Sequence, residues 1–302
     1  MPGAGPVTDP GPFSAHRGLL FTVAYEITGS VVDAEDVVQE TWLRWSSRPG
    51  GDDGSPEEVH DVRAYLVRIA TRLALNAVRS RTRRQEDYVG PWLPEPLLTT
   101  PDVADDVVMS ESVSMAMLLV LESLSPQERA VFVLREVFGF AHGEIGEAVG
   151  RSDAAVRQIA HRAREAVQAR RPRFETDPAQ VQSVLERFWA AVTTGELEQL
   201  MDVLAPDVVV HSDGGGIRSA ARRPVSGRDN AGRLILGLAG KATAAASFET
   251  VLVNGMPGVV LRLNGEVDTV AVFETYQGLV SRIYMVRNPD KLTSRDPVRL
   301  SR

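Results

Sequence analysis

No cysteine occurs among the 302 residues, which excludes a disulfide framework, a thiolate zinc site and a thiol nucleophile. No apolar run approaches the ~18 residues that span a bilayer, so no membrane association is expected. The first residues, MPGAGPVTDPGPFSAH, carry neither a basic start nor a long apolar run and do not read as a signal peptide. A cytoplasmic protein without metal or other cofactor is expected. Surplus positive charge is missing too: 33 Lys and Arg stand against 40 Asp and Glu, a net charge of −7. Proteins that grip DNA alone usually carry a basic balance, because phosphate contacts supply most of the non-specific affinity.

The positive charge that is present is local and nearly all arginine. One cluster is RSRTRR, Arg79 to Arg84; the other runs from Arg151 through Arg157, Arg162, Arg164, Arg170 and Arg171 to Arg173. Two basic patches on an acidic chain point to DNA contact that depends on a larger partner. The hydrophobic fraction of 43% and charged fraction of 24% are those of a soluble globular protein. The length suits two or three domains.

Residues 13–29 carry Leu19, Leu20, Val23, Ala24 and Ile27 at helical spacing. DAEDVVQETWLRWSS follows, with Asp33 as the expected N-cap and Val37, Val38, Thr41, Trp42 and Trp45 on one apolar side. After a Pro/Gly/Asp loop, VRAYLVRIATRLALNAVRSRTRR reads as a long helix with a basic end. EDYVGPWLPEPLLTTPDVADD contains Pro91, Pro94, Pro96 and Pro101, which forbid regular helix. It reads as a semi-rigid acidic linker over 86–108, and its Tyr88, Trp92 and Leu93 call for burial. Helices resume at Met109, with VVMSESVSMAMLLVLESL read as one amphipathic helix. SPQERAVFVLREVF has a full start signal in Ser125, Pro126 and Glu128. Two further helices joined by Gly150, Arg151 and Ser152 form a helix-turn-helix, with Val156, Ile159, Ala160, Ala163 and Val167 packed inward. RPRFETDP marks a boundary. The remainder, 178–293, reads as helices on one curved antiparallel sheet, with Asn264-Gly265 as a hairpin turn.

In a recognition helix, Arg157 and Gln158 can pair bidentately with guanine and adenine edges. Arg151, Ser152, Ala155, His161, Arg162 and Arg164 complete the exposed side, and Arg162 and Arg164 suit phosphates. LSPQERAVFVLREVFGFAHGEIGEAVGRSDAAVRQIAHRARE resembles region 4, the promoter −35 reader, of bacterial extracytoplasmic-function sigma factors. DAEDVVQETWLRW followed by VRAYLVRIATRLALNAVRSRTRR resembles region 2 of the same family. The resemblance implies a multidomain fold with two all-α sigma domains, region 2 over 13–85 and region 4 over 109–174. It implies docking of region 2 on the β′ clamp coiled coil of core RNA polymerase through Asp36, Gln39 and Glu40, and contact of the chain with the polymerase β flap. It implies reading of the melted −10 element, for which Tyr65, Arg68, Arg72, Asn76 and Arg79 supply cationic, flat and hydrogen-bonding groups. Arg83 and Arg84 suit duplex phosphates.

FWAAVTTGELEQLMDVLAPDVVVHSDGGG and the strands after it resemble the SnoaL-like group of the nuclear-transport-factor-2-like superfamily, an α+β cone with an apolar pocket. YVGPWLPEP, DGGG and NPDKL recur in the subgroup of these sigma factors that carries such an extension. The DGGG motif there is often followed by lysine, where this chain has Ile217. The resemblance implies a built-in regulator acting through Asp213, Gly214, Gly215, Gly216, Asn288, Pro289, Asp290, Lys291 and Leu292, with room for an unknown small ligand. Two competing readings use the same residues. A stand-alone helix-turn-helix regulator with a ligand-sensing domain leaves 13–84 idle. A small-molecule isomerase or hydrolase would draw its acid or base from Asp207, His211, Asp213, Asp268 or Tyr276, with His211 as a pocket-wall residue. The expected partners are core RNA polymerase and promoter DNA, and the free chain is expected to be a monomer.

Overall fold

The computed structural model describes residues 11–48, 59–85, 88–170, 178–240, 246–293 and 296–301. They form two compact units: Met1–Gln85 with Val120–Arg170 and Arg299–Arg302, and Glu86–Leu119 with Arg171–Val298.

The chain opens with α1 (Gly11–Thr28), α2 (Val31–Ser46) and α3 (Val62–Gln85). Every residue of α1 from Leu19 to Thr28 is buried, so α1 is the core helix and α2 and α3 wrap it. The α2 start differs from expectation. Ser30 rather than Asp33 is the cap, its hydroxyl accepting the Asp33 N–H at 3.1 Å. Ser caps as well as Asp does, and Asp33 instead places its charge in the first turn, where the helix dipole favours it.

The proline-rich segment is extended through Leu98 but not helix-free. Pro101 opens a short α4 (Pro101–Asp105), and Asp106 caps α5 (Val107–Val113) by accepting the Met109 N–H. Proline is tolerated at a helix's first position because that N–H has no intrahelical partner. The expected single amphipathic helix is broken at Ser114, whose ψ of 148° is extended, and resumes as α6 (Met115–Glu122). α7 (Pro126–Phe132) carries the expected capping box and runs into a π turn over Val133–Val137. The helix-turn-helix is α8 (His142–Val149) and α9 (Asp153–Arg170), joined through Gly150 at φ 71°. The five residues assigned inward on α9 are all buried.

The second unit adds α10 (Pro178–Thr194), α11 (Leu197–Val203), β1 (Leu204–Asp213), β2 (Val225–Ser226), α12 (Arg228–Ala239), β3 (Ala246–Val253), β4 (Met256–Leu263), β5 (Glu266–Tyr276) and β6 (Leu279–Val286). The six strands lie in the order β2-β1-β6-β5-β4-β3. Four of the five pairings are antiparallel, and β1 runs parallel to β6. Register shifts at Leu204/Val209, Leu261/Arg262 and Glu274/Thr275 bend the strands, as bulges do. The Asn264-Gly265 hairpin forms as expected, and Asn254-Gly255 and Gln277-Gly278 make the same turn, all six residues with positive φ.

Both sheet faces are covered. Phe188, Leu200, Val208, Val210, Phe273 and Ile283 pack between the helices and one face. On the other face, Val260, Val270, Val272 and Tyr284 pack against Leu93, Met115 and Ala116 of the 88–119 segment. Double burial accounts for the near-continuous apolar run VDTVAVF in β5.

That second face also buries Glu274, 1% exposed, with Arg282 at 3.4 Å as its ion-pair partner. Burial pushes the carboxyl up from 4.5 to about 7, only partly offset by Arg282 and by hydrogen bonds from Tyr284 and the Ala116 backbone. The folded state therefore holds a proton that the unfolded chain has released between these two values. Stability from this group is fully present below about pH 4.5 and falls as pH rises towards about 7. Glu274→Gln is expected to flatten that slope in urea unfolding of the C-terminal unit followed from pH 4.5 to 7.

Candidate functional site

On α2, Val32, Asp36, Gln39 and Leu43 recur every three to four residues, and all are exposed, Val32 at 47% and Leu43 at 51%. Two apolar side chains thus flank the polar pair already singled out. Glu40 is half-buried and bonded to Arg44 at 3.0 Å. Exposed aliphatics around a polar centre are what a protein-docking surface needs, and the sequence reading missed Val32 and Leu43.

On α3, Tyr65 is half-buried, its ring 6.0 Å from that of Trp45. Arg68 pairs with Glu147 of α8 at 3.0 Å, and Arg72 donates to the Glu147 and Ala148 carbonyls at 2.6 and 3.3 Å. Those carbonyls belong to the last turn of α8, whose partial negative charge draws cations. Two candidate −10 arginines are therefore engaged by the helix-turn-helix within the same unit. Asn76 and Arg79 are exposed and bonded to each other at 3.4 Å. The side chains of Arg83 and Arg84 lie outside the described residues, as do Arg171 and Arg173.

On α9 and its turn, Arg151, Ser152, Arg157, Gln158, His161, Arg162 and Arg164 are exposed and Ala155 is half-buried. Ser152 caps the helix by accepting the Ala155 N–H. Arg157 is held by Asp153 at 2.8 Å, Arg164 by Glu136 at 2.6 Å, and Arg151 by Gln127 at 3.3 Å. Glu136 holds the Arg164 guanidinium above its ordinary range. These are exposed pairs of the kind that contribute little and exchange readily for a phosphate.

A buried cluster joins the two helical segments of this unit. Glu122 accepts from Arg81 at 2.9 Å and Arg129 at 2.8 Å. Arg129, 3% exposed, also donates to the Leu121 and Ile27 carbonyls, and Arg81 donates to that of Thr28. Removing one partner of such a cluster strands a buried charge. None of the three had been singled out, because a lone Glu or Arg on a helix reads as solvated.

In the second unit the DGGG and NPDKL stretches meet the linker at Asp213. Its carboxylate is fully buried. Oδ1 accepts the Tyr88 hydroxyl at 2.6 Å and the Gly215 N–H at 3.0 Å; Oδ2 accepts the Leu93 N–H at 2.9 Å and Lys291 Nζ at 2.7 Å. Lys291 donates in addition to the Leu93 carbonyl at 2.6 Å and lies 4.1 Å over the Trp92 ring. Asn288 donates to the Tyr88 oxygen at 2.9 Å and caps the 3₁₀ turn Pro289–Lys291 by accepting the Asp290 N–H. Burial and Asp213 hold the Tyr88 phenol well above its ordinary range, so it stays a donor. The Asp290 side chain is exposed and Leu292 half-buried.

The glycines have a steric reason. At Gly215, φ 61°, a Cβ would meet the Asn288 side chain at 2.4 Å; at Gly214 it would meet the Arg218 carbonyl at 2.1 Å. A second tie-point was missed altogether. Asn254, 0% exposed at its hairpin tip, accepts the Leu97 N–H at 3.1 Å and donates to the Val113 carbonyl at 2.9 Å. The Asn-Gly signal revealed the turn but not what the side chain holds.

The candidate acids and bases do not converge. Asp207 is exposed, and Tyr276 is half-buried. His211 does not line the apolar cavity between α10, α12 and the sheet; it stacks on Tyr284 at 5.4 Å, and burial, then Arg282, pushes its pKa down. Burial alone would raise Asp268, but hydrogen bonds from Thr269 and Arg287 hold it below its ordinary value. Among the described residues no group of three or more His, Asp or Glu could hold a metal, and no helix is long and apolar enough to cross a membrane.

The Sigma-70 region 2 family matches residues 13–84, and the Sigma-70 region 4 family matches residues 114–167. The chain is 38% identical over 295 residues to the ECF RNA polymerase sigma factor SigJ of Mycobacterium tuberculosis, covering 93% of this chain and 92% of that protein. It is 31% identical over 288 residues to the probable ECF RNA polymerase sigma factor SigI of the same organism, covering 94% of each. The crystal structure of the M. tuberculosis SigJ protein matches with a TM-score of 0.74 and 36% identity, over 94% of this chain and 98% of that one.

The clasp predicts a large and asymmetric mutational cost. Asp213→Asn leaves Lys291 charged and buried, and is expected to destabilise the C-terminal unit by about 3–5 kcal/mol. Adding Lys291→Met should recover much of that loss, read as a coupling energy in a double-mutant cycle by urea unfolding.

Proposed function

Because the chain belongs to the extracytoplasmic-function family of RNA polymerase sigma factors, we propose a division of its residues among the steps of promoter-directed initiation. As an alternative sigma factor it binds core RNA polymerase and promoter DNA, directs promoter-specific transcription, and is regulated by its fused SnoaL-like domain; it is a transcription factor and not an enzyme. In our reading α2 docks on the β′ clamp coiled coil through Asp36 and Gln39, with Val32 and Leu43 beside them and Glu40 at the edge. The 114–167 region reaches the β flap. α3 offers Tyr65, Arg68, Arg72, Asn76, Arg79, Arg83 and Arg84 to the −10 element. The turn and α9 offer Arg151, Ser152, Ala155, Arg157, Gln158, His161, Arg162 and Arg164 to the −35 element.

One observation carries the regulatory reading: Asp213 and Lys291 hold residues 88–93 on the C-terminal sheet. Those residues belong to the stretch that joins the two matched sigma regions, which end at 84 and begin at 114. A docked joining segment cannot explore the spans that a free one would. The clasp, built from Asp213, Gly214, Gly215, Gly216, Asn288, Pro289 and Lys291, with Asp290 and Leu292 at its edge, thereby sets which separations of region 2 and region 4 are reachable. The engagement of Arg68 and Arg72 by α8 supports a resting state in which α3 must exchange protein carbonyls for DNA phosphates.

Run-off transcription with core polymerase and a promoter library tests this. The full-length chain is expected to give specific transcripts. Leu43→Asp should weaken core binding roughly tenfold, about 1.4 kcal/mol, with the fold intact. Tyr88→Phe combined with Lys291→Met should change transcript yield while core binding persists; unchanged yield would overturn the regulatory role of the clasp.

A further inference from the structure

The helix-facing side of the C-terminal sheet carries a partly open cavity of about 110 Å³ between α10, α12 and strands β3 to β6. Its wall includes Trp189, Phe248, Ala271, Phe273 and Met285, and none of its lining residues is ionisable. Trp189 meets Phe273 edge-on at 5.6 Å and Phe248 at 6.1 Å. Phe248 is 58% exposed, an aromatic standing at the rim. The one hydroxyl-bearing lining residue is Thr269, and its oxygen is already committed: it donates to Asp268 at 2.8 Å and accepts from Arg287 Nε at 3.2 Å. Asp207, His211, Asp213, Asp268 and Tyr276 are absent from the wall.

An apolar void of this size destabilises a fold when left empty. A cavity lined by hydrocarbon stays dry, and one of roughly 150 Å³ accepts benzene. A charged ligand would lose its hydration here with nothing to replace it. Flat aromatic walls set edge-on suit a ring. With no acid or base in the wall, an occupant would be held and not transformed.

Thr269 also connects the cavity to the clasp. Arg287, which donates to Thr269 and pairs with Asp268 at 3.0 Å, donates its backbone N–H to the Asp213 carbonyl at 2.7 Å. Met285, in the wall, lies on β6 two residues before it. We propose that this cavity is a binding site for an uncharged, apolar molecule of about one aromatic ring, and that its occupancy is passed through Thr269 and Arg287 to Asp213. The second half rests on the clasp reading above; the first does not.

Toluene and benzoate, alike in shape and different in charge, are the probes, used on the full-length chain without polymerase. Toluene at about tenfold over its Kd should raise the thermal midpoint by roughly 2–4 °C, and benzoate should not. Ala271→Phe, which fills the void, should abolish the toluene shift while the unliganded protein still unfolds cooperatively. Toluene should also change hydrogen exchange at the Leu93 amide, whose acceptor is Asp213, and Arg287→Lys, which lies outside the cavity wall and loses the bond to Thr269, should remove that response without removing the thermal shift. No shift with toluene, or equal shifts with both probes, overturns the site, whether or not Ala271→Phe folds. A toluene shift in the native chain with no change at Leu93 overturns the transmission. Neither outcome depends on promoter output, so each is distinguishable from a failure of the sigma-factor mechanism.

Discussion

The buried carboxylate of Asp213 is the constraint around which the C-terminal unit is arranged. A fully buried charge is tolerated only when paired and saturated with hydrogen bonds, and here one carboxylate takes two donors on each oxygen. Those donors come from three separate stretches of sequence: the linker, the glycine loop and the last turn. Remove any one and the others are left with an under-compensated charge. The stabilisation is therefore shared, and the linker is fixed by the same bonds that close the domain. Gly214 and Gly215 follow from the same demand, because the loop must bring its backbone against Asn288 and Arg218.

The first unit uses a parallel device with opposite sign. There Glu122 compensates two arginines, Arg81 from α3 and Arg129 from α7, which also donate to the Ile27 and Thr28 carbonyls at the end of α1 and, from Arg129, to the Leu121 carbonyl on α6. The sigma regions are thus joined inside this unit by a cluster that is buried and costly to break. Around it, the contacts made by Arg68, Arg157 and Arg164 are exposed ion pairs, which water and salt already weaken. The division has a functional logic: what holds the helices together is dry, and what would meet nucleic acid is wet and exchangeable. An acidic chain with locally basic faces fits a factor whose promoter grip is completed by polymerase.

Legibility in the sequence followed the physics of each signal. Helix starts, the helix-turn-helix and the Asn264-Gly265 hairpin rest on local rules, a cap, an αL glycine, a two-residue turn, and these could be read directly. The start of α2 lies three residues earlier than expected because Ser30 and Asp33 are both good caps. The linker helix α4 escapes the sequence reading because proline reads as a stop, whereas at Pro101 it is a start. Non-local features were the hard ones. Nothing in NG announces that Asn254 would bond to Leu97 and Val113, and nothing in a helical Glu announces the pairing of Glu122. His211 looked like a pocket residue because alternation along β1 fixes two faces without saying which one the helices cover. The parallel pairing of β1 with β6 is likewise a matter of chain topology that strand patterns do not encode.

The covering of both sheet faces is what separates this domain from a free-standing cone, and it has a consequence for regulation. In a sheet with one wet face, a ligand entering the helix side changes only its own surroundings. Here strand β5 alternates Thr269, Ala271 and Phe273 towards the cavity with Val270, Val272 and Glu274 towards the linker segment. Any shift of the strand backbone is felt on both sides, because a close-packed interior has little slack to absorb it. The buried Glu274 makes the linker-facing side sensitive to such a shift: its carboxyl is balanced near neutrality between burial and Arg282, so small changes in either alter its charge. A segment held by Asp213 at one end and lying over Glu274 at the other is therefore placed to respond to what the sheet contains.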